Sequence, residues 1–244
     1  MNQNFIDAIK GNVTFVLEFL GIIVAIVLFA YIMEKVAKKK NGSTERILTT
    51  RKMALIGMFS AVACVLHMLD FPLPFLAPPF YKLDFSELPA LIGAFAFGPV
   101  SGVLIEFLKI LLKLVFKGTS TALVGDLANF VVGCSFILPA SIIYNFKKTK
   151  KVAVTGCVIG TIILTIFGTL FNALYLIPAF SKLYGMDLEV IIGMGTKINA
   201  AITDLTTFVI FAVGPINILK GSVISLLTIL IYKKIRPIIK FGME

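Results

Sequence analysis

Charge is scarce in this sequence. Only 15% of its 244 residues are Asp, Glu, Lys or Arg, against 58% hydrophobic residues, and that is too little to clothe a water-soluble domain. A mean hydropathy of +0.98 says the same. The single histidine, His67, has no second ligand at metal spacing, so nothing supports a zinc or haem centre. Three cysteines, Cys64, Cys134 and Cys157, fall far apart in apolar runs and read as small hydrophobes rather than disulfide partners. No GxxxxGK[ST] loop occurs, so a transporter built on this chain takes its energy from a partner or an ion gradient. No nucleophile, metal set or acid-base constellation stands out, which argues against a membrane enzyme. Internal repeats and low-complexity tracts are absent as well.

What is present is a series of apolar runs, at roughly 14–33, 53–69, 85–97, 101–116, 122–146, 152–177 and 205–231. A membrane helix needs about 20 such residues, so seven spans are expected in an all-α integral membrane protein. The third and fourth runs are short and separated only by Gly98 to Ser101, which leaves a re-entrant pair as the alternative. The first run is too long for a signal peptide and lacks a basic start or cleavage site, so it is read as a helix.

Basic residues set the orientation, because Lys and Arg near helix ends stay in the cytoplasm. They cluster in 34–52, 147–151 and 233–240, which hold 15 of the 23, while Lys10, Lys82, Lys117, Lys182 and Lys197 fall on the opposite side. The amino terminus is therefore expected outside and the carboxyl terminus inside. The net charge of +10 is accounted for by topology and anionic lipid, with no need of nucleic acid. The run from Glu34 to Lys52, including KKKNGST, reads as a polar linker, which makes the first helix an appendage to a six-helix core.

Polar groups at membrane depth are costly and point to function. Asn172 stands in GTLFNALYLIPAF, and Asn217 and Lys220 stand three residues apart, on one helix face, in GPINILKGS. Pro215, just before them, frees backbone carbonyls. Asn172 and Asn217 also suit a simple role as interhelical hydrogen-bond partners. Glu106, Lys109 and Lys113 share a face and read as an internal ion pair plus a snorkelling lysine. In YKLDFSELPA, which follows the proline-rich FPLPFLAPPF, Lys82, Asp84 and Glu87 are expected at the outer water interface, with Ser86 as a helix cap.

FPLPFLAPPFYKLDFSELPALIGAFAFGP, followed in order by GVLIEFLKILL, GDLANFVVG, FNALYLIPAF and NILKG, resembles the riboflavin-specific substrate-binding (S) components of energy-coupling factor (ECF) transporters. The likeness covers roughly residues 50 to 235. It implies a six-helix S-component core with one additional amino-terminal transmembrane helix: residues 1–52 the extra helix and basic cytoplasmic linker, residues 53–244 the vitamin-binding membrane domain. It further implies a cell-membrane protein that captures riboflavin at the outer face. Release into the cytoplasm follows docking on a membrane-embedded coupling (T) subunit with two cytoplasmic ATPases. No cofactor or metal is expected, riboflavin being the transported ligand.

Asn172, Asn217 and Lys220 match family positions that contact the flavin, and Leu83, Asp84, Tyr175 and Tyr184 join them by proximity in the outer loops. The resemblance also implies docking through small residues of the helix beginning near Met53, where Gly57 and Ala61 lie four apart. Other readings are an S component for another vitamin and an ion-coupled secondary transporter using Glu106.

Overall fold

Apolar runs in a bilayer must satisfy their own backbone groups, so each becomes a helix. The computed structural model describes residues 13–241, with side chains from 17 to 232 and at Lys234. Its helices are α1 (Val13–Lys40), α2 (Thr50–Met68), α3 (Glu87–Phe97), α4 (Pro99–Lys117), α5 (Val124–Phe146), α6 (Lys150–Phe171), α7 (Ile177–Tyr184), α8 (Leu188–Thr196), α9 (Leu205–Phe208) and α10 (Gly214–Phe241). Strand β1 (Phe71–Pro72) pairs antiparallel with β2 (Lys82–Leu83). α6 passes into α7 through a π turn at Asn172–Leu176, and α9 into α10 through another at Val209–Val213. Each pair forms one long rod.

Helix starts follow local chemistry. Thr49 and Thr149 cap α2 and α6, their hydroxyls accepting from the Lys52 and Val152 amides at 3.2 and 3.3 Å. Gly98, at φ +115°, turns the chain where a side chain would be strained, and Pro99 opens α4. α5 and α6 pack closely because Gly156 and Gly160 have no Cβ: one on Gly156 would sit 2.6 Å from the Ala140 carbonyl oxygen.

Five rods are long and apolar enough to cross a membrane: Leu17–Lys40, Thr50–Met68, Val124–Phe146, Lys150–Tyr184 and Leu205–Tyr232. α4 has the length, at 19 residues, but carries Glu106, Lys109 and Lys113. α3 has only 11 residues, about 16 Å of helix, roughly half the hydrocarbon thickness. It is nevertheless no re-entrant arm. Its last residue, Phe97, lines a cleft with Lys147 and Lys52, while the far end of α4 carries Lys117, 3.8 Å from Asp70 just beyond α2. α3 and α4 therefore traverse the bundle in opposite directions. α3 manages it with half a span because the chain before it, Leu83 to Ser86, dips inward: Leu83, Asp84, Ser86 and Glu87 are all buried.

α2, α3, α4, α5, α6–α7 and α9–α10 make the six-helix core. α1 departs from its reading as an appendage. Phe19, Ile23 and Ala30 are buried in one apolar cluster with Val100, Val103, Leu127 and Phe130 of α4 and α5. Glu34, read as linker, is instead a fully buried helical residue whose carboxylate accepts from the Val100 amide at 3.1 Å, at the amino end of α4. A carboxylate there meets the unpaired amides and positive dipole end of α4, which is why the helix docks at that point. Lys10 lies outside the described residues, as do the side chains of Lys233, Arg236 and Lys240.

Candidate functional site

Two helix irregularities place the polar groups. Pro178 and Pro215 carry no amide hydrogen, so the turns before them relax into the two π segments, and Asn172 begins the first. Its side-chain amide donates to the Gly168 carbonyl at 2.7 Å, which aims Oδ1 at the loop, where the Tyr81 hydroxyl donates to it at 2.7 Å. Burial pushes the Tyr81 phenol far above its usual range, so it stays a donor. Asn217 lies across the bare Cα of Gly168: a Cβ there would stand 2.6 Å from its Nδ2. That Nδ2 and the hydroxyl of Thr169 are buried with no hydrogen-bond partner among the described residues.

One turn further along α10, Lys220 donates to Glu87 Oε1 at 2.7 Å and to Asp84 Oδ2 at 3.4 Å. Behind Glu87, Lys109 bonds Glu106 at 2.6 Å and the Ser86 hydroxyl at 3.0 Å. His67 Nδ1 stands 3.5 Å from Asp84. Burial works against the charge of Asp84, but the Lys220 ammonium, with His67 beside it, holds the carboxyl well below the usual carboxylate range. The result is a layer of paired charges beneath a layer of amides, under a loop pinned by β1–β2.

Sequence-predicted residues fare differently here. Asn172 and Asn217 converge on Gly168, Lys220 and Asp84 meet directly, and Leu83 is buried next to Asp84. Tyr175 does not join them; its ring packs tilted against Phe171 at 5.1 Å, and Phe171 in turn stacks on Phe167. Tyr184 is half exposed and lines a separate cleft of about 440 Å³ with Phe80, Lys82 and Phe180.

Of the three charges expected at the water interface, only Lys82 is exposed, paired with Asp70 at 3.1 Å, because Asp84 and Glu87 are drawn inward by Lys220. Ser86 does not cap α3: its backbone is helical, its amide donates to Asp84, and its hydroxyl accepts from Lys109. Lys113 does not snorkel, since Asp126 of α5 takes it at 2.6 Å. Glu106 is engaged by Lys109, which leaves no lone intramembrane carboxylate on α4.

Sequence reasoning did not single out Tyr81, His67 and Thr169 for the site. The partnership of Glu87 with Lys220 spans 133 positions, and no local pattern signals it. Gly57 and Ala61 of α2 lie on an open face: a Cβ on Gly57 would meet nothing within 4 Å, and Met58, Val62 and Val65 beside them are exposed.

A family model described as "ECF transporter, substrate-specific component" matches residues 51–232. The chain is 39% identical over 190 residues to the riboflavin transporter RibU of Staphylococcus aureus, covering 78% of this chain and 93% of that one. It is 31% identical over 193 residues to the riboflavin transporter FmnP of Bacillus subtilis, covering 78% and 94%. A solved structure of the S component of a bacterial ECF transporter matches with a TM-score of 0.61 at 38% identity, over 78% of this chain and 97% of that one. With a six-helix core, a polar cluster under its loop, and a match over three quarters of its length, this chain belongs to the substrate-specific components of ECF transporters.

Proposed function

We propose that this chain is the riboflavin-binding S component of an ATP-driven ECF uptake transporter. The observation that carries the reading is the meeting of Asn172 and Asn217 at Gly168 beneath Tyr81, with Lys220 one turn further along α10, in a chain whose relatives are named riboflavin transporters. Riboflavin has an apolar dimethylbenzene end, a pyrimidine-dione edge of alternating donors and acceptors, and a chain of hydroxyls. Asparagine amides both donate and accept, so they match that edge, while Lys220 donates to carbonyl or hydroxyl oxygens. The unpartnered Nδ2 of Asn217 and hydroxyl of Thr169 are polar groups that a ligand would satisfy.

In this reading the loop end faces outward, the amino terminus lies outside and the carboxyl terminus in the cytoplasm. Riboflavin enters beneath the loop, and release inward follows docking of the open Gly57–Ala61 face on a membrane-embedded T subunit carrying two ATPases. The test is titration of the purified full chain with riboflavin, read by quenching of flavin fluorescence. Saturable one-to-one quenching is expected, weakened about tenfold or more by Lys220→Met or Asn217→Ala, because each leaves a ligand polar atom unpaired in a dry site. Absence of quenching by the wild type, or full affinity in both variants, overturns the reading.

A further inference from the structure

At the opposite end of the bundle from the amide layer, α1, α2, α3 and α5 enclose a cleft of about 440 Å³. Its walls come from both sides of the family boundary at residue 51: Lys38 and Asn41 belong to the added segment, Lys52, Asn145, Lys147 and Lys148 to the core. The added segment, held on the bundle by Glu34, therefore supplies one wall of the cleft. Four ammonium groups line it against one carboxylate, that of Glu45, whose side chain is 77% exposed.

The charges are held in place rather than left waving in solvent. Lys38 donates to the Glu45 carbonyl at 3.1 Å, and Lys52, itself buried, donates to the Arg46 carbonyl at 3.2 Å. Lys38 and Lys148 both stand near enough to repel Lys52. The ion pairs of Lys52 with Glu45 at 3.8 Å and of Lys38 with Glu34 at 3.5 Å offset only part of that, since the ammonium groups in the cleft outnumber these carboxylates. The Asn41 amide donates to the Asn145 carbonyl at 2.9 Å, closing the cleft between α1 and α5. Asn145 is only 6% exposed, yet its side-chain Nδ2 has no hydrogen-bond partner among the described residues. Buried donors without acceptors and like charges held together both cost energy, and one occupant relieves both.

We infer that this cleft binds the phosphate group of an anionic ligand. A phosphate offers several acceptor oxygens and at least one full negative charge in one compact group, which matches several ammonium donors with an amide among them. A single carboxylate offers two oxygens and satisfies fewer of the donors. The cleft lies where α1 and α5 end and α2 begins, at the level of the exposed apolar residues Val36 and Met53 near the ends of α1 and α2. That depth admits two sources of the same chemistry: the headgroup of an anionic phospholipid, or a free phosphate from the aqueous side.

The experiment uses the full chain in a zwitterionic detergent and reads the midpoint of thermal unfolding against phosphatidylglycerol, phosphatidylcholine and inorganic phosphate. Ligand binding to the folded state raises the midpoint with concentration. A rise with phosphatidylglycerol alone assigns the lipid, and a rise with inorganic phosphate, with or without the lipid, assigns the phosphate group itself. Lys147→Gln/Lys148→Gln, two exposed positions whose change spares the core, is expected to shift the half-saturating concentration upward about tenfold. Lys35→Gln/Lys39→Gln removes the same charge from exposed positions outside the cleft and is expected to leave it unchanged. No rise with either anion, or an equal loss in both double variants, overturns the inference.

Discussion

Lys220→Met separates two roles that the geometry gives one side chain. The substitution keeps the apolar stem and removes the ammonium, which leaves Glu87 without its 2.7 Å partner and Asp84 without its 3.4 Å one. Stripping one member from a buried pair costs about 3–5 kcal/mol, because the remaining charge stays desolvated. Here Lys109, 3.9 Å from Glu87, still offsets part of it, so about 3 kcal/mol is expected. Glu87→Gln alone costs less, about 2 kcal/mol, since Lys220 keeps Asp84. The double variant costs less than the sum by about 1–2 kcal/mol, because the Glu87 position is then neutral and only Asp84 is left without its ammonium partner.

Unfolding in detergent, followed by a thiol-reactive fluorophore on the three buried cysteines, gives the stability order, and flavin titration gives affinity on the same samples. Lys220→Met and the double variant are both expected to bind flavin weakly, and the double variant to lose about 3–4 kcal/mol of stability rather than the additive value of about 5. Wild-type flavin affinity in Glu87→Gln/Lys220→Met would refute the reasoning: Lys220 would then be only a counter-ion for Glu87, with no contact to ligand.

Tyr81→Phe deletes the single hydrogen bond from the loop to Asn172 and is expected to speed flavin release roughly fivefold, about 1 kcal/mol, in a stopped-flow chase. Gly168→Ala places a methyl against Asn217 Nδ2 and is expected to weaken binding by displacing that amide, seen as loss of quenching in a folded protein. Gly57→Leu or Ala61→Leu is expected to leave flavin binding intact, because a side chain at 57 meets nothing in the bundle, while pull-down of the T subunit and ATP-driven uptake are lost. A chain starting at residue 50 is expected to bind flavin, since among the described residues α1 packs on α4 and α5 and forms no hydrogen bond or ion pair with Asn172, Asn217 or Lys220. It is also expected to unfold at lower temperature, because Val100, Val103, Leu127 and Phe130 lose their cover.

The part of this site that the sequence exposes is the part in which polarity contradicts its surroundings. Asn172, Asn217 and Lys220 interrupt apolar runs, where a polar group is costly, so they stand out one residue at a time. Asp84 and Glu87 lie at the edge of a polar loop, where charge is ordinary, and their burial depends on Lys220 more than 130 positions away. Leu83 and Asp84 share the site because β1–β2 pulls the loop down, whereas Tyr175, one turn after Asn172, packs on Phe171, and Tyr184, at the far end of α7, lines the other cleft. Proximity along the chain fixes the height of a residue on its helix and not the face it presents.

Glu34 teaches the complementary point. In the sequence it opens a run that continues with Lys35 and Lys38 to Lys40, and so it is indistinguishable from a solvated linker. In the fold the helix carries on to Lys40, and the carboxylate reaches the start of a different helix, where Gly98 leaves room for it and the Val100 amide needs an acceptor. A carboxylate at a helix start is stabilising by up to about 2 kcal/mol when partly buried, which is enough to fix where along the bundle α1 rests. Once α1 is fixed there, Lys38 and Asn41, one and two turns later, are brought opposite Lys52 and Asn145. The same contact that makes α1 part of the bundle thus completes the basic cleft, so Glu34→Ala is expected to lose the anion-dependent rise in unfolding temperature while flavin titration, at the other end of the molecule, remains unchanged.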